Sequence, residues 1–477
     1  VNEVIINGMN KVRKKQLLRW VLPALAAGLA LPMPQAALAQ GAGVARGQGW
    51  ETAGKDSFIQ REIAKRAGKD LRGFYAARDN QPLWLNQFGR PSGAASMLMH
   101  RLRTAEFDGV DPEAIRFDKL AKTIDKARRG DEDDIAKAEV ELSRAFAAYV
   151  QAMRAAPRDG MIYETRALAP VVPTQEAALQ AAADLSGDPA RLEDYVSSMR
   201  WMHPLYAPLR TAMEDPRFSE NQRHQIWTNL ARIRAIPAIP RGRHILVDAA
   251  SARLWMYEDG QVVDSMKVVV GKPDLQTPQM AGFIRQAIVN PYWNVPDDLA
   301  RTNIANNVID RGARYLKAGG YQVFDGWSLD APLIDPAKID WHEVAQGRKR
   351  IRVRQLPGGS NFMGKVKFEF PNNQGIYLHD TPDKHLLKED ARQLSSGCVR
   401  LEDAGRLHKW LMGKPLPAKL RGDPEQAVPL PEMVPIYITY LTARPDSGAI
   451  AFSDDPYARD GIELAAVRND LAVTDRP

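Results

Sequence analysis

The chain has 477 residues and 44% apolar content, enough for two or three domains with ordinary cores, which excludes a disordered chain or one embedded in a membrane throughout. Of the formal charge of +7, the first 39 residues carry +4 (Lys11, Arg13, Lys14, Lys15 and Arg19 against Glu3), leaving about +3. That excess is too mild to argue for nucleic acid, and a single cysteine excludes an intramolecular disulfide.

A basic stretch ends at Arg19, an apolar run follows from Trp20 to Leu31, and Ala37 and Ala39 supply the small residues a signal peptidase reads. The expectation is a secretion leader over 1–39, cleaved before Gln40. Its apolar run is short of the ~20 residues of a bilayer span, so the membrane is a partner only through an uncleaved leader. Residues 40–54, rich in Gly, Ala and Gln, read as a flexible lead-in.

Helical spacing then begins at Phe58, Ile59, Ile63 and Leu71. A helix is predicted from Gly93 to Glu106, stopped by Phe107-Asp108-Gly109, and another from Asp131 to Ala155 around Val140, Leu142, Phe146 and Val150. More helices follow Thr174 and Asp188 and cover Pro204–Met213 and Glu220–Arg234. Together they define a helical domain over 55–239, in which Trp84, Trp201, His203 and Tyr206 are expected to pack rather than bind ligands.

Pro237, Pro240 and Gly242 mark a boundary, beyond which the period becomes alternating. His244–Val247, Leu254–Tyr257 and Val262–Val270 read as strands, with a hairpin signal at Asp259-Gly260. Phe283–Val289 is the next strand, ended by Asn290–Asn294, where Trp293 either lines a cleft or caps a core. Residues 297–364 interrupt the β pattern, and the basic run Arg348–Arg354 reads as a solvated face with some capacity to attract carboxylates.

Strands return at Lys365–Phe370 and Ile376–His379. Asp403 is expected to cap a helix over Ala404–Met412, with Gly413 as its stop. A proline-rich linker runs to Pro435, a closing strand covers Ile436–Leu441, and residues 446–477 read as a surface tail. Trp341-His342-Glu343 has no histidine four positions beyond His342, and His385 and His408 read as surface residues, so neither metal nor cofactor is expected.

The chemistry concentrates between Gly375 and Asp403. Cys398 follows Ser395, Ser396 and Gly397, small residues that let the backbone turn tightly and aim amides at a developing oxyanion. His379 ends a short apolar run, and Asp380-Thr381-Pro382 turns the chain, so its imidazole can project into a cleft as a base for the thiol.

The pair of motifs, HDTP from His379 and SSGCVRLED ending at Asp403, resembles the signature of the L,D-transpeptidases, whose catalytic domain is of the YkuD type. The resemblance implies an α+β multidomain protein: a helical N-terminal scaffold, then a mainly β catalytic domain over 240–445 with residues 297–364 as an inserted lid. It makes Cys398 the nucleophile and His379 its base, oriented by the backbone carbonyl of Asp380, with the Asp380 carboxylate a further candidate. It puts Tyr377 and amides near Gly397 at the oxyanion, and Arg400, with Ser396 and Trp293, beside the substrate. Many members carry His where this chain has Ser396.

The implied reaction attacks the third-residue carbonyl of a peptidoglycan tetrapeptide stem, releases D-alanine and passes the acyl group to another stem. Stem peptides are then the partners and carbapenem-type β-lactams the inhibitors. The helical region is similar to the scaffold domain of larger Gram-negative members, which implies a periplasmic enzyme, although only Thr211–Ile239 is available for their peptidoglycan-binding module. Rival readings are a cysteine peptidoglycan hydrolase or carboxypeptidase and a catalytically silent wall-binding protein. In a papain-like endopeptidase the cysteine precedes the histidine, opposite to the order here.

Overall fold

A computed structural model describes residues 55–155, 160–238, 242–328, 330–417 and 422–461. The expected leader and lead-in lie outside them. Among the described residues no helix is long and apolar enough to cross a membrane.

The first half is helical. Its longest helix, Glu132–Arg154, is started by Asp131, whose carboxylate accepts the N–H groups of Asp133 and Asp134, with three acidic residues in the first turn. Two buried carboxylates tie the helices together. Glu139 accepts the N–H groups of Leu83, Trp84 and Leu85 (2.7, 3.0 and 3.1 Å) and the Tyr75 hydroxyl (3.0 Å). Asp108, expected only as part of a helix stop, accepts Tyr149 (2.6 Å), Tyr206 (2.8 Å) and Arg210 (2.9 Å). Trp84, Trp201, His203 and Tyr206 are all buried.

The second half is a sheet closed on itself. A short strand β1 (Ile162–Tyr163) precedes β2 (Arg243–Asp248), β3 (Arg253–Glu258), β4 (Gln261–Gly271), β5 (Met280–Val289), β6 (Trp293–Val295), β7 (Tyr321–Phe324) and β8 (Arg352–Gln355). Then come β9 (Val366–Glu369), β10 (Leu378–His379), β11 (Gln393–Ser395), β12 (Val399–Leu401) and β13 (Gln426–Thr439). Strands pair in the order β5-β13-β2-β3-β4-β12-β10-β9, and β9 returns to β5, which removes the free edges. The β3–β4 turn has positive φ at Asp259 (48°) and Gly260 (76°), as a two-residue hairpin requires.

Several expectations need correction. From Gln426 onward the proline-rich segment before Pro435 belongs to β13 and is no linker. Its prolines are tolerated because β2 pairs with β13 only from Ile436 onward, so the earlier stretch pairs with β5 alone. The supposed surface tail is packed in part, since Tyr457 is buried in the barrel core and stacks on Tyr440. His408 is also buried, with Nδ1 3.1 Å from the Lys414 carbonyl, whereas His385 is exposed. Asp403 does cap the helix Ala404–Met412 and Gly413 ends it at φ 69°.

Between β5 and β9 the chain builds a separate small unit. Its sheet, ordered β6-β8-β7, and short helices enclose a core that includes Val295, Ile304, Val323, Val344 and Val353.

Candidate active site

The site is laid out by strand register. β10 and β12 run parallel, with Leu378 opposite Val399 and His379 opposite Arg400. Leu378 and Val399 fill the barrel core. Alternation then puts Tyr377, His379, Cys398 and Arg400 together on the other face, so a diagonal of one square joins base and thiol.

The loop carrying the thiol is fixed by hydroxyls. Ser395, buried, donates to the Cys398 carbonyl (2.6 Å) and accepts the Gly397 N–H (3.1 Å). Thr277, also buried, donates to the Gly397 carbonyl (2.7 Å) and accepts the Gly271 N–H (2.8 Å). Gly397 has φ +110°, which a residue with a side chain rarely adopts. Tyr457 braces the far side: its hydroxyl donates to the Gly271 carbonyl and accepts the Thr277 N–H (3.3 Å). The half-buried Cys398 Sγ lies 3.5 Å from the Gly375 carbonyl, in a turn that Asn372 holds through the Phe370 and Ile376 carbonyls (2.9 Å each).

His379 is buried, and its Nδ1 lies 2.6 Å from the Asp380 carbonyl. A donated Nδ1–H leaves the Nε2 lone pair as the base. Burial, with Arg400 nearby, lowers its pKa to about 4, although the Asp380 and Phe362 backbone groups favour the proton. Burial pushes the Cys398 thiol up to about 11, against the Tyr377 backbone and the cations Arg400 and Lys367. Both groups are therefore neutral at rest. Lys367 lies over the Tyr377 ring at 5.6 Å and pairs with Glu369 (2.9 Å) and Glu425 (3.6 Å).

Residues 242–434 match the YkuD family, described as the L,D-transpeptidase catalytic domain, and residues 69–213 match a scaffold domain. A putative L,D-transpeptidase of Haemophilus influenzae is 31% identical over 293 residues, covering 59% of this chain and 58% of that relative. The chain thus spans less than two thirds of that relative's length. Two solved structures are also matched, each at 14% identity. The Ldtfm–avibactam carbamoyl enzyme has TM-score 0.20, covering 43% of this chain and 51% of its own. An L,D-transpeptidase from Mycobacterium smegmatis has TM-score 0.21, covering 41% and 59%.

Within residues 242–434 the remaining expected residues fall out unevenly. The Asp380 carboxylate is engaged by Lys384 (2.9 Å) and the Lys365 N–H (3.0 Å), so its carbonyl is what meets the imidazole. Gly397 shapes the turn and its N–H is taken by Ser395, whereas the Cys398 N–H and the Tyr377 hydroxyl have no partner among the described residues. Arg400 reaches Asp383 (3.4 Å) and lies 6.0 Å from the Phe362 ring. Trp293 sits on the inserted unit against Phe362 (4.7 Å), and Ser396 is exposed beside the thiol.

Sequence reading missed Thr277, Lys367, Asn372, Phe362 and Tyr457, and valued Ser395 only for its size. Thr277, Phe362 and Tyr457 act across large sequence gaps, Asn372 acts within its own turn and Lys367 on nearby residues, and no local pattern marks any of them. The nearest signal was Thr277-Pro278, which marked a loop without saying what the hydroxyl would hold.

Proposed function

We propose that this chain is a periplasmic peptidoglycan L,D-transpeptidase, secreted through its N-terminal leader, that works by two acyl transfers through Cys398. Nε2 of His379 takes the thiol proton as Sγ attacks the third-residue carbonyl of a tetrapeptide stem. The Cys398 N–H and the Tyr377 hydroxyl hold the oxyanion. Its collapse breaks the peptide bond, and D-alanine leaves with the proton from His379. The side-chain amine of a second stem, relieved of a proton by His379, attacks the thioester and forms the cross-link, and the thiol recovers its proton. Carbapenem-type β-lactams acylate the same sulfur.

The observation that carries this reading is the register of β10 and β12, which sets Cys398 and His379 on one face with a neutral thiol and a neutral base. The whole chain incubated with purified tetrapeptide muropeptides is expected to release D-alanine and yield cross-linked dimers by mass spectrometry. Cys398→Ala should abolish both and His379→Ala should slow thioester formation severely. Unchanged product from either variant overturns the assignment.

A further inference from the structure

The sheet of the inserted unit has one face turned to its own core, through Val295, Val323 and Val353. Alternation sends Gln322, Phe324, Arg352 and Arg354 to the other. There two guanidinium groups and two rings interleave: Arg352 lies over Phe324 at 4.1 Å, and Arg354 over Tyr292 at 4.0 Å and Phe324 at 4.8 Å.

Two half-buried cations two residues apart on one strand repel each other, and a neighbouring carboxylate would relieve them. Among the described residues neither has one. The one hydrogen-bond partner of Arg354 there is the Gln322 side-chain oxygen (2.7 Å), and Nε of Arg352 is buried with no partner. Two acids of adjoining segments are already engaged, Asp297 by Arg350 (3.3 Å) and Glu425 by Lys367 (3.6 Å) and the Tyr292 N–H (2.7 Å).

This face also connects to the thiol. From Arg354 the contacts run through Tyr292 to Glu425, on to Lys367, and from there to the Tyr377 ring beside Cys398. Stacking occupies the planes of the guanidinium groups and Gln322 takes the Nε and Nη2 edge of Arg354 (3.3 and 2.7 Å), so what is left to a ligand is Nη1 of Arg354 and the two terminal nitrogens of Arg352. A planar fork held on a ring loses little freedom when it grips a carboxylate with two parallel bonds.

We propose that Arg352 and Arg354 form a carboxylate subsite, which holds a free carboxylate of the peptide whose acyl carbon reaches Cys398. This rests on the peptidoglycan reading of the site and adds to it a preference for stems whose third-residue side chain ends in a free carboxylate over those in which it is amidated. The carboxylate is bound, and no bond is made or broken there.

The test uses the whole chain carrying Cys398→Ala, so binding is read without turnover, and two synthetic tetrapeptides that differ only in a free or amidated third-residue carboxylate. Calorimetry is expected to give at least tenfold tighter binding of the free form. Adding Arg352→Gln and Arg354→Gln should weaken the free form at least tenfold and the amidated form less than threefold, and Arg354→Lys should fall between. Arg352→Gln alone gives the same readout if the doubly substituted protein melts early. Equal affinity for the two peptides, no binding of the free form, or parallel weakening of both overturns the subsite. A chain that shows the preference but transfers no acyl group would refute the proposed reaction and leave the subsite standing.

Discussion

Thr277 is where the position of the thiol is most open to attack. Thr277→Val keeps the shape and removes the hydroxyl, leaving the Gly397 carbonyl and the Gly271 N–H buried and unpaired. Each orphaned group costs about 1–3 kcal/mol, so the domain is expected to lose roughly 2–4 kcal/mol if the loop relaxes in part. At about 2–4 °C per kcal/mol for a domain of this size, Tm should fall by about 4–16 °C. The rate should fall too, because Gly397 directly precedes the nucleophile, and a shift of about 1 Å at a reacting atom costs on the order of 100-fold. The assay is the rate of carbapenem adduct formation on Cys398 by intact mass, measured well below the melting transition, with Tm recorded in parallel. Thr277→Ser keeps both hydrogen bonds and should restore both readouts. A valine variant that melts early but acylates at the native rate would refute the positioning role and leave only a structural one.

Other predictions concern charge and stability. Because His379 is held near 4 and Cys398 near 11, acylation should be flat between about pH 5 and 9 and fall below about 4; a bell centred near 6.5 would instead indicate a standing ion pair. His203 and His244, buried with Nε2 atoms 3.3 Å apart, have pKa values lowered by burial to about 3 and about 4. Their folded values lie below the unfolded 6.5, so the unfolded chain takes up protons first. Stability is complete above 6.5 and declines as pH falls through the window down to about 4, by about 1.4 kcal/mol per pH unit per histidine. His244→Phe should flatten the dependence of Tm on pH, and an unchanged slope would count against the pair. Asp108→Asn removes the fully buried one of the two carboxylates that pair with Arg210 and should cost about 3–5 kcal/mol in the helical half, read as an earlier denaturant midpoint. An unshifted midpoint would mean that Glu214, 2.6 Å from Arg210, suffices.

What was legible in the sequence was what local pattern encodes. The helix over Glu132–Arg154 announces itself through its capping aspartate and apolar spacing, and the Asp259-Gly260 turn through its composition. Cys398 and His379 stand out because small residues and a turn surround them. Closure of the barrel was not legible, since the β5–β9 pairing joins segments about 80 residues apart, across an insert with its own core. The β13 prolines misled because a strand paired on one side tolerates what a doubly paired strand does not. Tyr457 and His408 misled for a related reason: a polar neighbourhood in sequence says little about burial when the neighbours face outward. Which of the amides near Gly397 stays unpaired was not legible, because Ser395, the partner of the Gly397 N–H, was read as a spacer.

The resting charges bear on which group carries the chemistry. With the base near 4 and the thiol near 11, burial keeps each group neutral around pH 7, and a standing thiolate–imidazolium pair is the minor form. So little of it forms that the proton has to move as the carbon–sulfur bond forms, when negative charge passes to the carbonyl oxygen. The groups meeting that charge, more than a preformed thiolate, then set the rate. Tyr377, whose hydroxyl has no partner among the described residues and whose ring lies beside Cys398 and under Lys367, is the side chain best situated for this. Tyr377→Phe keeps the ring and its packing, and removing one oxyanion donor costs on the order of 100-fold or more in rate. Carbapenem acylation, which builds an oxyanion, should fall by about that factor. Alkylation by iodoacetamide builds none and should change less than threefold. Equal losses in both reactions would mean that the hydroxyl serves the sulfur itself, and the charge argument would fail.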